Sequence, residues 1–280
     1  MEVIRNPLII QDSLGKDIMK GRTIGFVPTM GALHEGHLSL VRRAREENDI
    51  SVVSIFVNPL QFGQSEDFAT YPRDIEGDML KLRAEGIDIL FLPEPSSIYP
   101  NGFSTYVYVE GLSERLCGAF RPGHFRGVTT IVTKLLNIVR PSRAYFGQKD
   151  YQQSVIIKRL VKDLNMPLEI VGSPTIRESD GLAMSSRNLY LSEEERAAAP
   201  VLYRALSKAE EDIKSGIRDL PSIKRSIYEI LRAEPLVRGI DYASLYDPQS
   251  LEELTEIGGP VLIAGRIKIG STTLIDNILI

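Results

Sequence analysis

An α/β fold is predicted for this 280-residue chain: a doubly wound parallel sheet followed by a smaller C-terminal α+β domain. Three observations predict it. Short apolar, β-branched runs recur along the first two-thirds of the sequence, amphipathic helical patterns separate most of them, and the pattern changes after about Ile176. Strands and helices that alternate in this way imply a mainly parallel sheet with helices on both faces, a Rossmann-like arrangement. The expected domains are 1–176 and 177–280.

Strands are expected at Thr23 to Val27, Ile50 to Val57, Ile87 to Leu92, Arg143 to Phe146 and Leu168 to Val171. Helices are expected at Gly36 to Asn48, Asp74 to Glu85, Gly127 to Val139 and Asp150 to Leu164. In the first of these helices Leu38, Val41 and Ala44 recur at helical spacing, with Arg42, Arg43, Arg45 and Glu46 on the other face. PEPSSIYP, Pro93 to Pro100, reads as an extended loop, and STYVYVEG, Ser104 to Gly111, alternates like an edge strand. Beyond Ile176, Ser192 with Glu195 forms a capping box that opens a helix through Ala209. A second helix follows over about Ser222 to Arg232. DYASLY, PVLIAGRIKIG and TTLIDNILI then read as strands of a small antiparallel sheet.

The most informative passage is PTMGALHEGHLSLV, Pro28 to Val41, which carries two of the three histidines. It lies where a strand turns into a helix. A helix that begins near Glu35 to His37 leaves several N–H groups without intrahelical partners and carries partial positive charge. Two imidazoles at that end, with Gly31 and Gly36 allowing close backbone approach, suit a phosphate. A zinc site is the competing reading, but the spacing is one residue short of His-Glu-x-x-His, and only Cys117 and His124 remain as further cysteine or histidine ligands. In a parallel sheet, ligands bind beyond the carboxyl ends of the strands. HEGH, NPLQF and GQKD each follow a strand, so the three segments are expected to converge on one crevice.

Composition agrees with a globular enzyme: 43% hydrophobic and 25% charged residues, with a net charge of −4. That charge argues against a broad nucleic-acid surface, and no apolar run reaches membrane-span length. A single cysteine excludes an internal disulfide and fits a reducing cytoplasm, and the first residues lack an export signal.

PTMGALHEGH resembles the His-x-Gly-His signature of the nucleotidyltransferase superfamily, and within it the pantothenate synthetase (pantoate–beta-alanine ligase) family. FVNPLQF (Phe56 to Phe62), YPRD (Tyr71 to Asp74), RPGHFRGV (Arg121 to Val128), FGQKDYQQ (Phe146 to Gln153) and MSSRN (Met184 to Asn188) are similar to that family's motifs, in order, and weaker similarity continues to LIDN. Two departures are visible: Gln148 stands where many relatives carry glutamate, and Thr273 where arginine is common.

The resemblance implies ATP-dependent condensation of pantoate with beta-alanine through pantoyl adenylate, releasing AMP and pyrophosphate. ATP is then a co-substrate, Mg²⁺ accompanies it, and the chain is a homodimer. It implies catalytic roles for His37, His34 and Lys149, with His37 as candidate proton donor. ATP-binding positions implied are Met30, Gly31, Ala32, Leu33, His34, Glu35, Gly36 and His37, then Gly147, Gln148, Lys149 and Asp150. Ile176, Met184, Ser185, Ser186 and Arg187 complete the set: Ile176 presents backbone to adenine, and the Ser–Ser–Arg segment takes the departing pyrophosphate. Gln61 and Gln153 are the implied pantoate holders, and Gln61 also the beta-alanine contact. Met30, Phe62 and Val132 suit the gem-dimethyl group, or ordinary core packing. Asp78 and Asp150 are carboxylates available to Mg²⁺, although the metal ligands are left unassigned. His124 and Arg121 are expected in the pocket wall. Two other functions are distinguishable: a nucleotidyltransferase that makes a stable nucleotide conjugate, and a non-catalytic nucleotide sensor.

Overall fold

Six strands form one parallel sheet: β1 (Glu2–Ile4), β2 (Ile24–Thr29), β3 (Ile50–Ile55), β4 (Ile89–Phe91), β5 (Arg143–Gly147) and β6 (Glu169–Ser173). Their order is β1-β4-β3-β2-β5-β6. The computed structural model describes residues 1–64 and 66–280. Every residue of β3 is buried, as a strand covered on both faces must be. The helices are α1 (Pro7–Met19), α2 (Glu35–Glu46), α3 (Ile75–Ala84), α4 (His124–Val139) and α5 (Tyr151–Asp163). Leu40, Val41 and Ala44 of α2 pack with Val27, Val53, Leu82, Leu90 and Tyr145 in one core, so Leu40 takes the place in the buried stripe expected of the half-buried Leu38. On this α/β Rossmann-like frame the strand order reverses between β2 and β5, and ligands bind at such a reversal.

Met1–Ser113, Arg121–Gly147 and Gln153–Pro174 make one compact unit; Glu114–Phe120, Gln148–Gln152 and Thr175–Ile280 make the other. The second unit contains α6 (Glu193–Ala198), α7 (Val201–Lys214) and α8 (Leu220–Ala233), with an antiparallel sheet of β7 (Val237–Tyr246), β8 (Leu262–Ile269) and β9 (Thr272–Leu279). Leu202 and Leu206 of α7 and Ile223 and Ile227 of α8 pack with Ile263 and Ile267 of β8. The Ser192–Glu195 capping box is present, but Pro200 divides the helix expected to run through Ala209. Proline has no N–H to continue the ladder and clashes with the preceding turn.

Two other expectations need correction. Ser104 to Gly111 is not a strand. Val107 instead donates its N–H to Thr130 Oγ1 at 3.1 Å and accepts from Thr129 Oγ1 at 2.6 Å, so hydroxyls of α4 take the bonds a neighbouring strand would take. Within Pro93 to Pro100, Pro95–Ile98 forms one helical turn, opened by a proline whose fixed φ suits a first helical position. Among the described residues, no helix is long and apolar enough to cross a membrane.

Candidate active site

Strand β2 delivers the chain into the loop Met30–Leu33, where Gly31 and Ala32 both have positive φ, 84° and 50°. Gly31 is required twice, because a Cβ there would also meet Asp78 Oδ2 at 3.0 Å and Ile55 Cγ2 at 3.1 Å. Asp78 of α3, 0% exposed, anchors this loop: its two oxygens accept from Ala32 N and Leu33 N, each at 2.7 Å. Lys81 donates to Leu33 O at 2.6 Å. Burial pushes the Asp78 carboxyl above its ordinary range, only partly offset by the two N–H groups and the Lys81 charge.

His34 is the N-cap of α2, in extended backbone, and its Nδ1 accepts from Gly36 N at 3.2 Å. His37 Nδ1 reaches back to accept from His34 N at 3.4 Å, closing a capping box built from two imidazoles. Their ring centroids are 4.1 Å apart. With each Nδ1 serving as acceptor, the proton of each neutral ring sits on Nε2. Two N–H donors are thereby presented at a positively polarised helix start. Glu35 turns its carboxylate to Arg42, at 2.6 and 2.9 Å, so only its backbone serves the helix terminus.

Strand β3 leads to a short turn, Pro59–Gln61, capped by Asn58. Sequence reasoning missed Asn58, which is 1% exposed and fully engaged. Its Nδ2 donates to Gln61 Oε1 at 3.0 Å and Gly127 O at 3.1 Å; its Oδ1 accepts from Tyr99 Oη at 2.7 Å and Leu60 N at 3.3 Å. Burial pushes the Tyr99 phenol up, so it remains a donor. The Gln61 amide is thus oriented with Nε2 outward, donating to Met30 Sδ at 3.1 Å, which joins the NPLQF turn to the Met30–Leu33 loop. Gly127 admits the turn against α4; a Cβ there would collide with the Leu60 carbonyl. The Asn–Pro dipeptide signals a cap, whereas Tyr99, 41 residues away, leaves no local signature.

Replacing Asn58 with alanine should strip hydrogen bonds from four groups, of which Gly127 is buried and Leu60, Gln61 and Tyr99 half-buried, lowering the unfolding free energy by about 2–3 kcal/mol. Denaturant unfolding measures the difference, and a parent-like free energy for the alanine variant would show that this network does not hold the turn.

Arg121 and His124 hold the Gln61 backbone. His124 Nδ1 lies 2.8 Å from Gln61 O, and its Nε2 lies 3.0 Å from Arg121 Nη1. Guanidinium only donates, so Nε2 accepts and Nδ1–H donates to Gln61. Arg121 also grips Glu66 at 2.6 and 2.7 Å. Burial raises the Glu66 carboxyl, but hydrogen bonds and charge from Arg121 outweigh it and leave the pKa lowered from 4.5. A lowered folded pKa means that this pairing stabilises fully above about 4.5 and is lost as pH falls through the folded value. The stability gap between the parent chain and Glu66→Gln, of order 1 kcal/mol, should therefore be constant near neutrality and close in acid. A gap that persists through acid unfolding would contradict the ion-pair account. Gln153 stands early in α5, half-buried.

In the second unit, Gln148–Asp150 forms one tight turn, with Lys149 Nζ 3.7 Å from Asp150 Oδ1. A hairpin pairs Arg177 with Ala183, and Met184 N donates to Ile176 O at 3.0 Å. The return limb runs into Ser185, whose Oγ accepts from Arg187 N at 3.3 Å and caps the turn Ser186–Tyr190. Ile176 and the segment Met184–Arg187 are therefore neighbours. Asp78 has neither exposure nor an uncommitted oxygen for direct Mg²⁺ ligation, whereas the half-exposed Asp150 side chain fits a single carboxylate ligand.

A family model described as Pantoate-beta-alanine ligase matches residues 2–279. The chain is 60% identical over 280 residues to the pantothenate synthetase of Thermodesulfovibrio yellowstonii, covering 100% of both chains. It is 52% identical to that of Moorella thermoacetica, covering 100% of this chain and 99% of the relative. A solved pantothenate synthetase from Thermus thermophilus superposes with a TM-score of 0.95 at 47% identity, over 99% of each chain. A pantoate-beta-alanine ligase from Francisella tularensis, solved in complex with beta-gamma ATP and beta-alanine, gives 0.82 at 36% identity, over 100% of this chain and 97% of that one. By its whole length and its fold, the chain belongs to the pantoate-beta-alanine ligase family of enzymes.

Proposed function

We propose that this chain joins pantoate to beta-alanine at the expense of ATP, through a bound pantoyl adenylate, releasing AMP and pyrophosphate. One observation carries the reading: the reciprocal capping at the start of α2, which directs Nε2–H of both His34 and His37 away from the backbone they cap. The Francisella relative's complex with beta-gamma ATP and beta-alanine supports the choice of substrates.

In the first step a pantoate carboxylate oxygen attacks the α-phosphorus. The bond to the oxygen bridging to the β-phosphate breaks, and pyrophosphate leaves with that electron pair. His37 and His34 donate Nε2–H to phosphate oxygens as charge moves onto them, with fixed donors that need no reorganisation. Backbone from Met30 to His37, together with Gly147, Gln148 and Asp150, lines the nucleotide, and Ile176 serves adenine. Lys149 supplies a mobile charge; Ser185, Ser186 and Arg187, beside Met184, hold the departing pyrophosphate. Gln61, its Oε1 committed to Asn58, offers Nε2–H to pantoate in place of the weak Met30 acceptor, and Gln153 supplies a second amide. In the second step the beta-alanine amine, also held at Gln61, attacks the acyl carbon, the carbon–oxygen bond to AMP breaks, and the amine loses its proton. Mg²⁺ would enter with the triphosphate and offset its charge, with Asp150 as the fitting carboxylate. The same proposal carries a division into domains 1–176 and 177–280, homodimerisation, a cytoplasmic setting, and no nucleic-acid partner.

ATP–pyrophosphate exchange tests it. Exchange should require pantoate and proceed without beta-alanine; adding beta-alanine should release AMP and pantothenate in equal amounts. Exchange indifferent to pantoate, or a nucleotide-containing end product, would contradict it.

A further inference from the structure

Asp276 and Asn277 are adjacent on β9, 5% and 4% exposed, although both are polar. Successive strand residues project to opposite sides, so one dipeptide serves two segments. Asp276 receives the Arg177 guanidinium in a fork, Nη1 to Oδ2 at 2.6 Å and Nη2 to Oδ1 at 2.9 Å. Arg177 also donates to Gly181 O at 3.1 Å and lies 4.0 Å from the centroid of the Tyr203 ring. It thereby fixes the hairpin that places Ile176 beside Met184–Arg187. Arg196 holds the tip of the same hairpin through Asp180 and Glu178, each at 2.6 Å.

Asn277 points its amide at the other segment. Its Nδ2 donates to Gln148 O at 3.0 Å and to Lys149 O at 2.8 Å, using both protons on the turn that carries the lysine. The orientation is determined, because a flipped amide would set Oδ1 against two carbonyls. The cost is visible: Asn277 Oδ1 is buried with no hydrogen-bond partner among the described residues. A side chain selected for packing alone would not orphan an acceptor, so the two bonds of Nδ2 account for an amide here.

We propose that Asp276 and Asn277 are positioning residues of the nucleotide site. Through two side chains of one strand they hold the Lys149 turn and the Ile176/Met184–Arg187 hairpin in register, so that ammonium, hydroxyls and guanidinium meet one ligand together. Neither residue touches substrate. The inference rests on the ATP-binding reading given above.

The experiment compares Asn277→Ala, Asn277→Asp and Asp276→Asn with Leu206→Ala, a core substitution in the same unit that removes no hydrogen bond to either segment. Thermal stability, pantoate-dependent ATP–pyrophosphate exchange, and KM values for ATP and pantoate are measured for each. A reacting group displaced by about 1 Å loses about 10²-fold in rate. Asn277→Ala should lose exchange by about that factor and raise the ATP KM, with the pantoate KM within about twofold. Asn277→Asp, which sets a carboxylate against two carbonyls, should lose more. Leu206→Ala should lower the melting temperature and leave the ATP KM unchanged below it. Parent-like exchange in Asn277→Ala, or an equal ATP effect in Leu206→Ala, overturns the positioning role. No exchange in the parent chain overturns the ATP-binding reading, and this inference with it.

Discussion

Replacing His37 with alanine is expected to slow pantoate-dependent ATP–pyrophosphate exchange by about 10²–10³-fold, the usual loss when one preorganised donor is removed from developing charge. ATP affinity should change by no more than about threefold, because in the proposed binding mode the Met30–Leu33 backbone and the second imidazole remain. The ring also caps α2 through Nδ1, so a stability loss of about 1 kcal/mol or less should accompany the change. His37→Gln restores an acceptor for the cap and a short donor near the Nε2 position, and should recover stability more fully than rate. Equilibrium nucleotide binding and exchange kinetics, measured on the same preparations, separate the two roles. Equal losses in binding and exchange would remove the transition-state role of His37.

Asp78→Ala should produce the largest stability loss at the site. Two backbone N–H groups of the Met30–Leu33 loop, one of them buried, lose their acceptors, at about 1–3 kcal/mol each. The unfolding free energy should fall by about 2–5 kcal/mol. Exchange should fall by about 10²-fold or more, because the loop that sets the start of α2 is no longer anchored. Asp78→Asn keeps one acceptor and should lie between the two. Denaturant unfolding and exchange rates check this order. A stable, fully active Asp78→Ala would show that the positive-φ loop holds itself, and that the buried carboxylate has another use.

The passage from β2 into α2 was legible because its signals are local: a β-branched run, glycines and a helix start. The place of the imidazoles at a helix start is legible in the string, but the reciprocal capping that fixes each tautomer depends on side-chain rotamers that spacing alone does not specify. Ser104 to Gly111 misled because alternation marks an extended chain and does not show what pairs with it; the partners are hydroxyls of α4, more than twenty residues away. Asp78 reads in sequence as a carboxylate available to metal, since nothing in YPRDIEGDML tells that both oxygens accept from a loop some 45 residues earlier. Asn58, Asp276 and Asn277 escaped for the same reason. Each has partners distant in sequence, Tyr99 and Gly127 for Asn58, Arg177 for Asp276 and the Gln148–Lys149 carbonyls for Asn277, and a family-like string such as LIDN gives the residues without the bonds.

In the proposed reaction the two imidazoles and the lysine act on one triphosphate, and a crystal structure of this chain with pantoate and an ATP analogue that cannot transfer its α-phosphate would test it. Hydrogen-bond distances from His34 and His37 Nε2 and from Lys149 Nζ to the phosphates of a single nucleotide, with the pantoate carboxylate in line with the α-phosphorus beside Gln61 and Gln153, are the predicted result. A triphosphate bound away from the start of α2, or a Lys149 that never reaches it, would contradict the account.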